Sequence, residues 1–215
     1  MLSCFERLLN KGDTPMKIIN LTEDSKMYTS NAFLVTGSWN TLTDINTLID
    51  TGRDPNIIEK INNAATGVGK HKLDQAILTH SHYDHAGMVK EIKREFNSKI
   101  LAYSKNQVGI DKTLHDGEVL KMGDVYFEVI HMPGHSTDSI CLYSRESKVL
   151  FAGDSPLIIR TEECCYEYEF VFVLKRLVSL PIDIIYFGHG GPLIEKCNES
   201  LMQTLENITA KKLNC

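Results

Sequence analysis

The chain has no apolar run long enough to cross a bilayer. Stretches such as Val149 to Ala152 or Phe170 to Leu174 fall far short of the roughly 20 residues that a spanning helix needs, so no membrane partner is expected. Runs of lysine or arginine are missing too. With 23 basic against 28 acidic residues and a formal net charge of −5, the chain offers no stripe to track a phosphate backbone. Nucleic acid is therefore not an expected partner, and a small-molecule substrate is. The six cysteines (Cys4, Cys141, Cys164, Cys165, Cys197 and Cys215) lack the CxxC spacing of a zinc knuckle or redox pair. Cys164 and Cys165, adjacent in the chain, are poorly placed to bridge each other. They read as free thiols of a reducing compartment. The opening segment MLSCFERLLNKGDTPMK lacks the basic region, unbroken apolar core and small-residue cleavage site of a secretion signal, and a cytoplasmic location is the expectation. Repeats, low-complexity tracts and linkers are absent. Residues 1–215 are accordingly expected to form a single domain, with about 1–16 as a flexible or helical extension, and a homodimer is compatible with this picture.

What is present is ordinary globular composition, 42% hydrophobic and 24% charged, long enough for one large core. Within it one device recurs: a short apolar run stops abruptly at a polar or glycine-flanked residue. Leu48-Ile49 leads into Asp50-Thr51-Gly52, Ala76-Ile77-Leu78 into Thr79-His80, Val149 to Ala152 into Gly153-Asp154, and Ile184 to Phe187 into Gly188-His189. Runs of that length and β-branched content read as buried strands. Each delivers a metal-type residue just past its C-terminal end, where helix-covered sheets tend to build sites. Between the strands lie helical patterns. Ala86 to Phe96 puts Met88, Ile92 and Phe96 on one face, and Tyr168 to Leu180 does the same with aromatics before Pro181 stops it. SNAFLVTGSWN and TLTDINTLID read as consecutive antiparallel strands joined by a Gly-Ser-containing turn. The pattern predicts a layered α/β architecture with helices outside.

Residues 79–87, THSHYDHAG, pack three histidines and an aspartate into six positions. Buried imidazoles must each find partners for their ring nitrogens, so this density calls for something that binds them. In an extended segment alternate side chains point the same way, and His80 and His82 can pinch one ion while Asp84 and His85 turn toward another point. Imidazole and carboxylate are accepted zinc ligands, and a catalytic zinc keeps one position open for water. Further candidates sit on tight turns: His135 in HMPGHST, Asp154 in FAGDSP and His189 in FGHGGP.

This order of motifs, LIDTG, HxHxDH, PGHS, a strand-ending GD and then GHG, resembles that of the metallo-β-lactamase-fold superfamily from about Ser30 to His189. The resemblance implies a four-layer αβ/βα sandwich of two facing mixed β-sheets with outer helices, and metals at one edge. It implies two divalent ions per chain, zinc first, with iron or manganese as alternatives. His80, His82 and His135 would hold the first ion, Asp84, His85 and His189 the second, with Asp154 between them. Asp50 matches the aspartate that orients ligands without binding metal. Ser136 departs from the family's usual Thr, and TDSI varies a stretch that often contains Gly.

Bland readings apply to other residues. A lone histidine is more often a satisfied surface or core group, and His71 and His115 are read so. His131 is read as a support beside the site, on a strand end whose ring faces the other way. Asp84 as a mere helix cap is disfavoured, because no Glu or Gln follows three residues later.

Two ions roughly 3.5 to 4 Å apart share a water, lower its pKa and leave a hydroxide aimed at a carbonyl or phosphoryl centre, with Asp84 as steering or proton-accepting group. The expected activity is a metal-dependent hydrolase that uses metal-bound hydroxide on a small ester, thioester, lactone or phosphodiester. Nuclease members of the superfamily carry a basic arm or an inserted domain that this acidic chain lacks. Glyoxalase II relatives add a C-terminal glutathione-binding region, where only a short tail follows His189. Secreted β-lactamases place a cysteine where Asp154 stands. Two other classes remain: an oxygenase like the persulfide dioxygenases, with one iron on counterparts of His80, His135 and Asp154, and a non-catalytic metal-binding sensor. Flavodiiron proteins put a carboxylate where this chain has His82. In PLIIRTEECCYEYEFVF, Arg160, Tyr166 and Tyr168 are candidate substrate contacts on a pocket wall, against the plainer reading of a surface arginine and core aromatics.

Overall fold

Alternate residues of a strand face opposite ways, and in the computed structural model that rule sorts the apolar runs into layers. The structure describes residues 16–105, 108–161 and 166–210. One sheet runs β1 (Met16–Asn20), β2 (Phe33–Gly37), β3 (Thr47–Ile49), β4 (Gln75–Ile77), β5 (Lys99–Ala102) and β6 (Lys112–Thr113) in that order. Its pairs are antiparallel up to β3 and parallel from β3 to β6. In the other sheet β7 (Val119–Met122), β8 (Val125–His131), β9 (Ile140–Ser144) and β10 (Val149–Gly153) are antiparallel neighbours, and β11 (Ile184–Phe187) lies parallel to β10.

Between the sheets Phe33 and Val35 of β2, Ile49 of β3 and Ile77 of β4 meet Phe127 and Val129 of β8, Leu142 of β9 and Phe151 of β10. Their neighbours in sequence face outward. Leu34, Leu48, Ala76 and Ile100 pack under Ile57 and Ile61 of α1 (Asn56–Asn63) and under Ile92 of α3 (Val89–Phe96), which follows the single turn α2 (Tyr83–Ala86). On the far side Ile130, Cys141, Tyr143 and Leu150 pack under Phe170, Leu174 and Leu177 of α4 (Tyr168–Val178) and under Leu201 and Ile208 of α5 (Cys197–Thr209). Strands covered on both faces read as continuous apolar runs. All five residues of β10 are buried for that reason. The result is the expected four-layer αβ/βα sandwich of two mixed sheets. Among the described residues no helix is long and apolar enough to cross a membrane.

Several local expectations are corrected. The helix expected over 86–96 is broken at Gly87 and Met88, because the Met88 N–H donates to the Gly52 carbonyl at 3.1 Å and to Thr51 Oγ1 at 3.2 Å. The helix from Tyr168 ends at Val178, since Ser179 and Leu180 tighten into bonds to Arg176 and Leu177 three residues back. β2 and β3 do pair antiparallel. Their link is a long loop in which Thr41 donates backbone N–H and hydroxyl to the Asp44 carboxylate. Met16, counted with the N-terminal extension, belongs to β1, and residues 1–15 lie outside the described part, as do Cys4, Cys164, Cys165 and Cys215. Cys141 and Cys197 are buried free thiols.

Phe151 lies between the sheets with ring centroids 5.0 Å from Tyr186, 5.5 Å from Phe33 and 5.9 Å from Phe127. Replacing it with alanine removes contacts to both sheets at once. Phe151→Ala is expected to lower unfolding stability by roughly 3–5 kcal/mol, read as a lower urea midpoint with unchanged slope.

Candidate metal centre

The ends of β3, β4, β10 and β11 deliver their polar residues to one edge of the sandwich. The chain leaves β3 at Asp50, whose backbone takes the left-handed conformation with φ 57°, a conformation that Asp tolerates better than most residues. Its buried carboxylate accepts the Thr79 N–H at 2.7 Å and the Thr79 hydroxyl at 2.8 Å, and receives His85 Nδ1–H at 2.7 Å. With Nδ1 engaged as donor, His85 Nε2 is the nitrogen left to face the donor cluster, and it offers a lone pair once its proton leaves. The turn α2 carries Asp84 and His85 back toward β3, and the His85 carbonyl accepts the Thr51 N–H at 2.7 Å and the Thr51 hydroxyl at 3.0 Å. On the opposite sheet the Gly188 N–H donates to the Gly153 carbonyl at 2.8 Å, which sets Asp154 beside His189. A Cβ on Gly188 would lie 2.1 Å from Asp154 Oδ1 and 2.6 Å from His85 Cε1. Only glycine leaves the site its room.

Three groups of donor atoms converge there, each within 4.8 Å: His80, His82 and His135; His80, His85 and Asp154; and Asp84, His85 and His189. His82 Nδ1 lies 2.9 Å from His135 Nε2. Asp84 Oδ2 lies 3.1 Å from His189 Nε2 and 3.9 Å from His85 Nε2. The Asp154 carboxylate spans the groups: Oδ1 is 3.2 Å from His85 Nε2, and Oδ2 is 3.5 Å from His135 Nε2 and 3.6 Å from His189 Nε2.

The donors fit divalent ions. Among the described residues His80 Nε2 is buried with no hydrogen-bond partner, an arrangement that is unfavourable in a protein interior unless something binds the lone pair, and His85 Nε2, equally buried, faces the Asp154 carboxylate at 3.2 Å. Imidazole and carboxylate are the nitrogen and oxygen donors that zinc and similar ions take. Protonation follows the same geometry. Burial, reinforced by the His85 charge, pushes His80 down to about 4. Burial disfavours the charge on His85 as well, but Asp50 and Asp154 outweigh it and raise His85 to about 10. Burial would raise Asp154, but the hydrogen bond and charge of His85 hold it down at about 2. Asp84 is likewise lowered, with His85 overcoming burial.

Every residue that the sequence nominated for metal stands in these groups, and Asp50 stands behind His85. His71 and His115 do not. His131 faces away, with Nε2 2.9 Å from the Thr137 carbonyl and its ring stacked 4.0 Å from Tyr103. Of the expected substrate contacts, Tyr166 stacks on the core ring of Phe170 at 5.1 Å, Tyr168 stacks on Phe172 at the surface, and Arg160 is exposed. None of these contacts joins them to the donor atoms. Nothing in the residue pattern marks Tyr28, whose ring stacks 5.4 Å from His189. Its loop is tied down by Ser30 N–H to the Asp84 carbonyl and by Asn31 N–H to the Gly188 carbonyl.

Fold and site together define an αβ/βα sandwich with a histidine- and aspartate-rich centre at one edge. The family model described as the metallo-beta-lactamase superfamily matches residues 27–189, and the chain belongs to that superfamily. The chain is 35% identical over 156 residues to a probable hydroxyacylglutathione hydrolase, glo2, of Schizosaccharomyces pombe, covering 68% of this chain and 59% of that protein. It is 28% identical over 162 residues to an atrochrysone carboxyl ACP thioesterase of Aspergillus fumigatus, covering 74% and 51% respectively. The chain thus spans little more than half the length of these relatives. Among solved structures, ETHE1 from Myxococcus xanthus superposes with a TM-score of 0.66 at 19% identity, over 93% of this chain and 91% of that one. That likeness concerns the fold alone.

Two outcomes follow from the geometry. Gly188→Ala is expected to reduce bound metal at least tenfold, while Gly191→Ala, where an added Cβ meets nothing within 4 Å, retains it; equilibrium dialysis with zinc reads both. Because His85 without an ion stays protonated up to about 10, an ion entering at neutral pH must displace that proton. Apparent metal affinity should therefore fall as pH is lowered from 8 to 6. Calorimetry in buffers of different ionisation enthalpy should show about one proton released as the site that contains His85 fills.

Proposed function

We propose that the chain is a dinuclear metal-dependent hydrolase of thioesters. The observation that carries this reading is the Asp154 carboxylate, set within 3.6 Å of ring nitrogens of His85, His135 and His189, beside the buried His80 Nε2, which has no hydrogen-bond partner among the described residues. His80, His82 and His135 would hold one divalent ion, Asp84, His85 and His189 the other, and Asp154 both, zinc being the ion that suits the donor set first. When bound, two such ions acidify a shared water and polarise the attacked oxygen.

The protein's own groups do the rest. Asp50 fixes the His85 tautomer and ring plane through its 2.7 Å contact with Nδ1. Thr79, donating twice to Asp50, locks that carboxylate in place. Asp84, whose Oδ2 lies 3.1 Å from His189 Nε2, accepts the proton of the attacking water. No separate nucleophilic side chain is required, since the incoming and departing groups are both steadied at the same centre. Thioesters are preferred over esters, lactones and phosphodiesters because the names of both relatives describe cleavage of an acyl group from a thiol carrier. The fold itself does not decide the substrate.

A panel of variants tests the assignment. Asp154→Asn keeps shape but loses the charge that offsets two cations, and should reduce turnover of an acyl thioester more than a hundredfold with little change in thermal midpoint. His82→Ala should lose one ion of two. Asp50→Ala should lower metal affinity or rate by about 10- to 100-fold, and His115→Ala should match wild type. Turnover abolished by His115→Ala and retained by Asp154→Asn would refute the site. A single bound iron, with oxygen consumed on glutathione persulfide, would make the protein an oxygenase instead. Two bound ions without turnover of aryl ester, thioester, lactone or bis-aryl phosphodiester would make it a sensor.

A further inference from the structure

Beside the second donor group lies a cation with which no carboxylate of the described residues pairs. Arg53 follows the Asp50-Thr51-Gly52 turn, and its backbone N–H donates to Thr29 Oγ1 at 2.8 Å. Among the described residues no acidic group comes within salt-bridge distance of it, whereas thirteen other pairs do form. Its Nε is buried without a hydrogen-bond partner. Nη1 makes one long contact, 3.5 Å to the Tyr28 carbonyl, at the limit of a hydrogen bond.

The guanidinium is nonetheless held in one place. It lies 4.7 Å over the ring of Tyr83, a cation–π contact, and its stem runs close over Gly87, where an added Cβ would come within 3.1 Å of Arg53 Cγ. Tyr83 stands between His82 and Asp84 and is 68% exposed. Tyr28, 70% exposed, stacks on His189. Arg53, Tyr83 and Tyr28 thus form a continuous rim from solvent to the second donor group. A fixed, partly desolvated guanidinium with spare donors matches a carboxylate or phosphate, which it can engage through two parallel bonds.

We propose that this rim is a subsite for an anionic group, carboxylate or phosphate, which the substrate carries away from the bond that is cut. The proposal rests on the hydrolase reading above. Arg53 acts there as a specificity residue: it holds the remote anion, and the two tyrosines border the chain that links anion to reacting carbonyl.

The test uses the metal-loaded protein and three thioesters of matched length: one neutral, one with a carboxylate on the thiol half (an S-acyl 3-mercaptopropionate) and one with a carboxylate on the acyl half (a succinyl monothioester of a neutral thiol). Wild type should prefer one anionic thioester to the neutral one, mainly through KM, and the preference should shrink in high salt. Which half carries the favoured anion tells which end of the substrate faces Arg53. Arg53→Met should cut the anionic-to-neutral ratio of kcat/KM about tenfold, a loss of about 1.4 kcal/mol, and Arg53→Lys should restore part of it. Bound metal and thermal midpoint are measured on each variant to confirm an intact fold. Absence of any anionic preference in wild type, or an equal loss on all three substrates in Arg53→Met, would overturn the proposal. The same three compounds as uncleavable thioethers, titrated calorimetrically, separate the two readings. If no thioester is cleaved but anionic thioether binding still depends on Arg53, the hydrolase reading falls and the subsite stands.

Discussion

Asp50 receives three hydrogen bonds in a place that water does not reach, two from Thr79 and one from His85. A buried carboxylate is stable only if its charge is met by donors or cations, and here the donors come from the strand end and the loop that carry the donor histidines. The interaction runs in both directions. Thr79 and His85 make burial of Asp50 tolerable, and Asp50 turns His85 so that Nε2 points at the cluster. The backbone of His85 is held by Thr51, but its ring takes its orientation from Asp50.

The same logic extends across the two sheets. Asp154 arrives from β10 and His189 from β11, and the Gly188 N–H bond to the Gly153 carbonyl fixes the interval between them. Five histidines and two aspartates crowded at one edge are mutually unfavourable in a protein interior until opposite charges meet: imidazolium against carboxylate when empty, dications against carboxylates when loaded. The site is therefore stored in the core packing. The interlocked rings of Phe33, Phe127, Phe151 and Tyr186 hold the sheets at the spacing at which the two halves of the cluster meet.

The surroundings of the cluster are a different kind of structure. The β1–β2 loop reaches the site through a few backbone bonds, and it brings Tyr28 against His189 and a carbonyl against Arg53. Such loops vary freely on a fixed scaffold, which is how one superfamily supports many substrates.

Much of this was legible in the amino-acid sequence. Strands covered on both faces must be short continuous apolar runs, so Leu48-Ile49, Ala76 to Leu78, Val149 to Ala152 and Ile184 to Phe187 announce themselves, and the polar residue after each marks the edge where they end. Three histidines and an aspartate within THSHYDHAG announce a binding loop because imidazole nitrogens need partners. Helix boundaries were less legible: the break at Gly87 and Met88 depends on an acceptor, the Gly52 carbonyl, that is distant in sequence. Tyr28, Arg53 and the actual places of Arg160, Tyr166 and Tyr168 were not legible at all. Local pattern reports the face on which a side chain lies and whether it is buried. Which exposed side chains meet across loops depends on how the layers close, and that is decided only when the two sheets pack and bring β1–β2, α2 and β11 to the same edge.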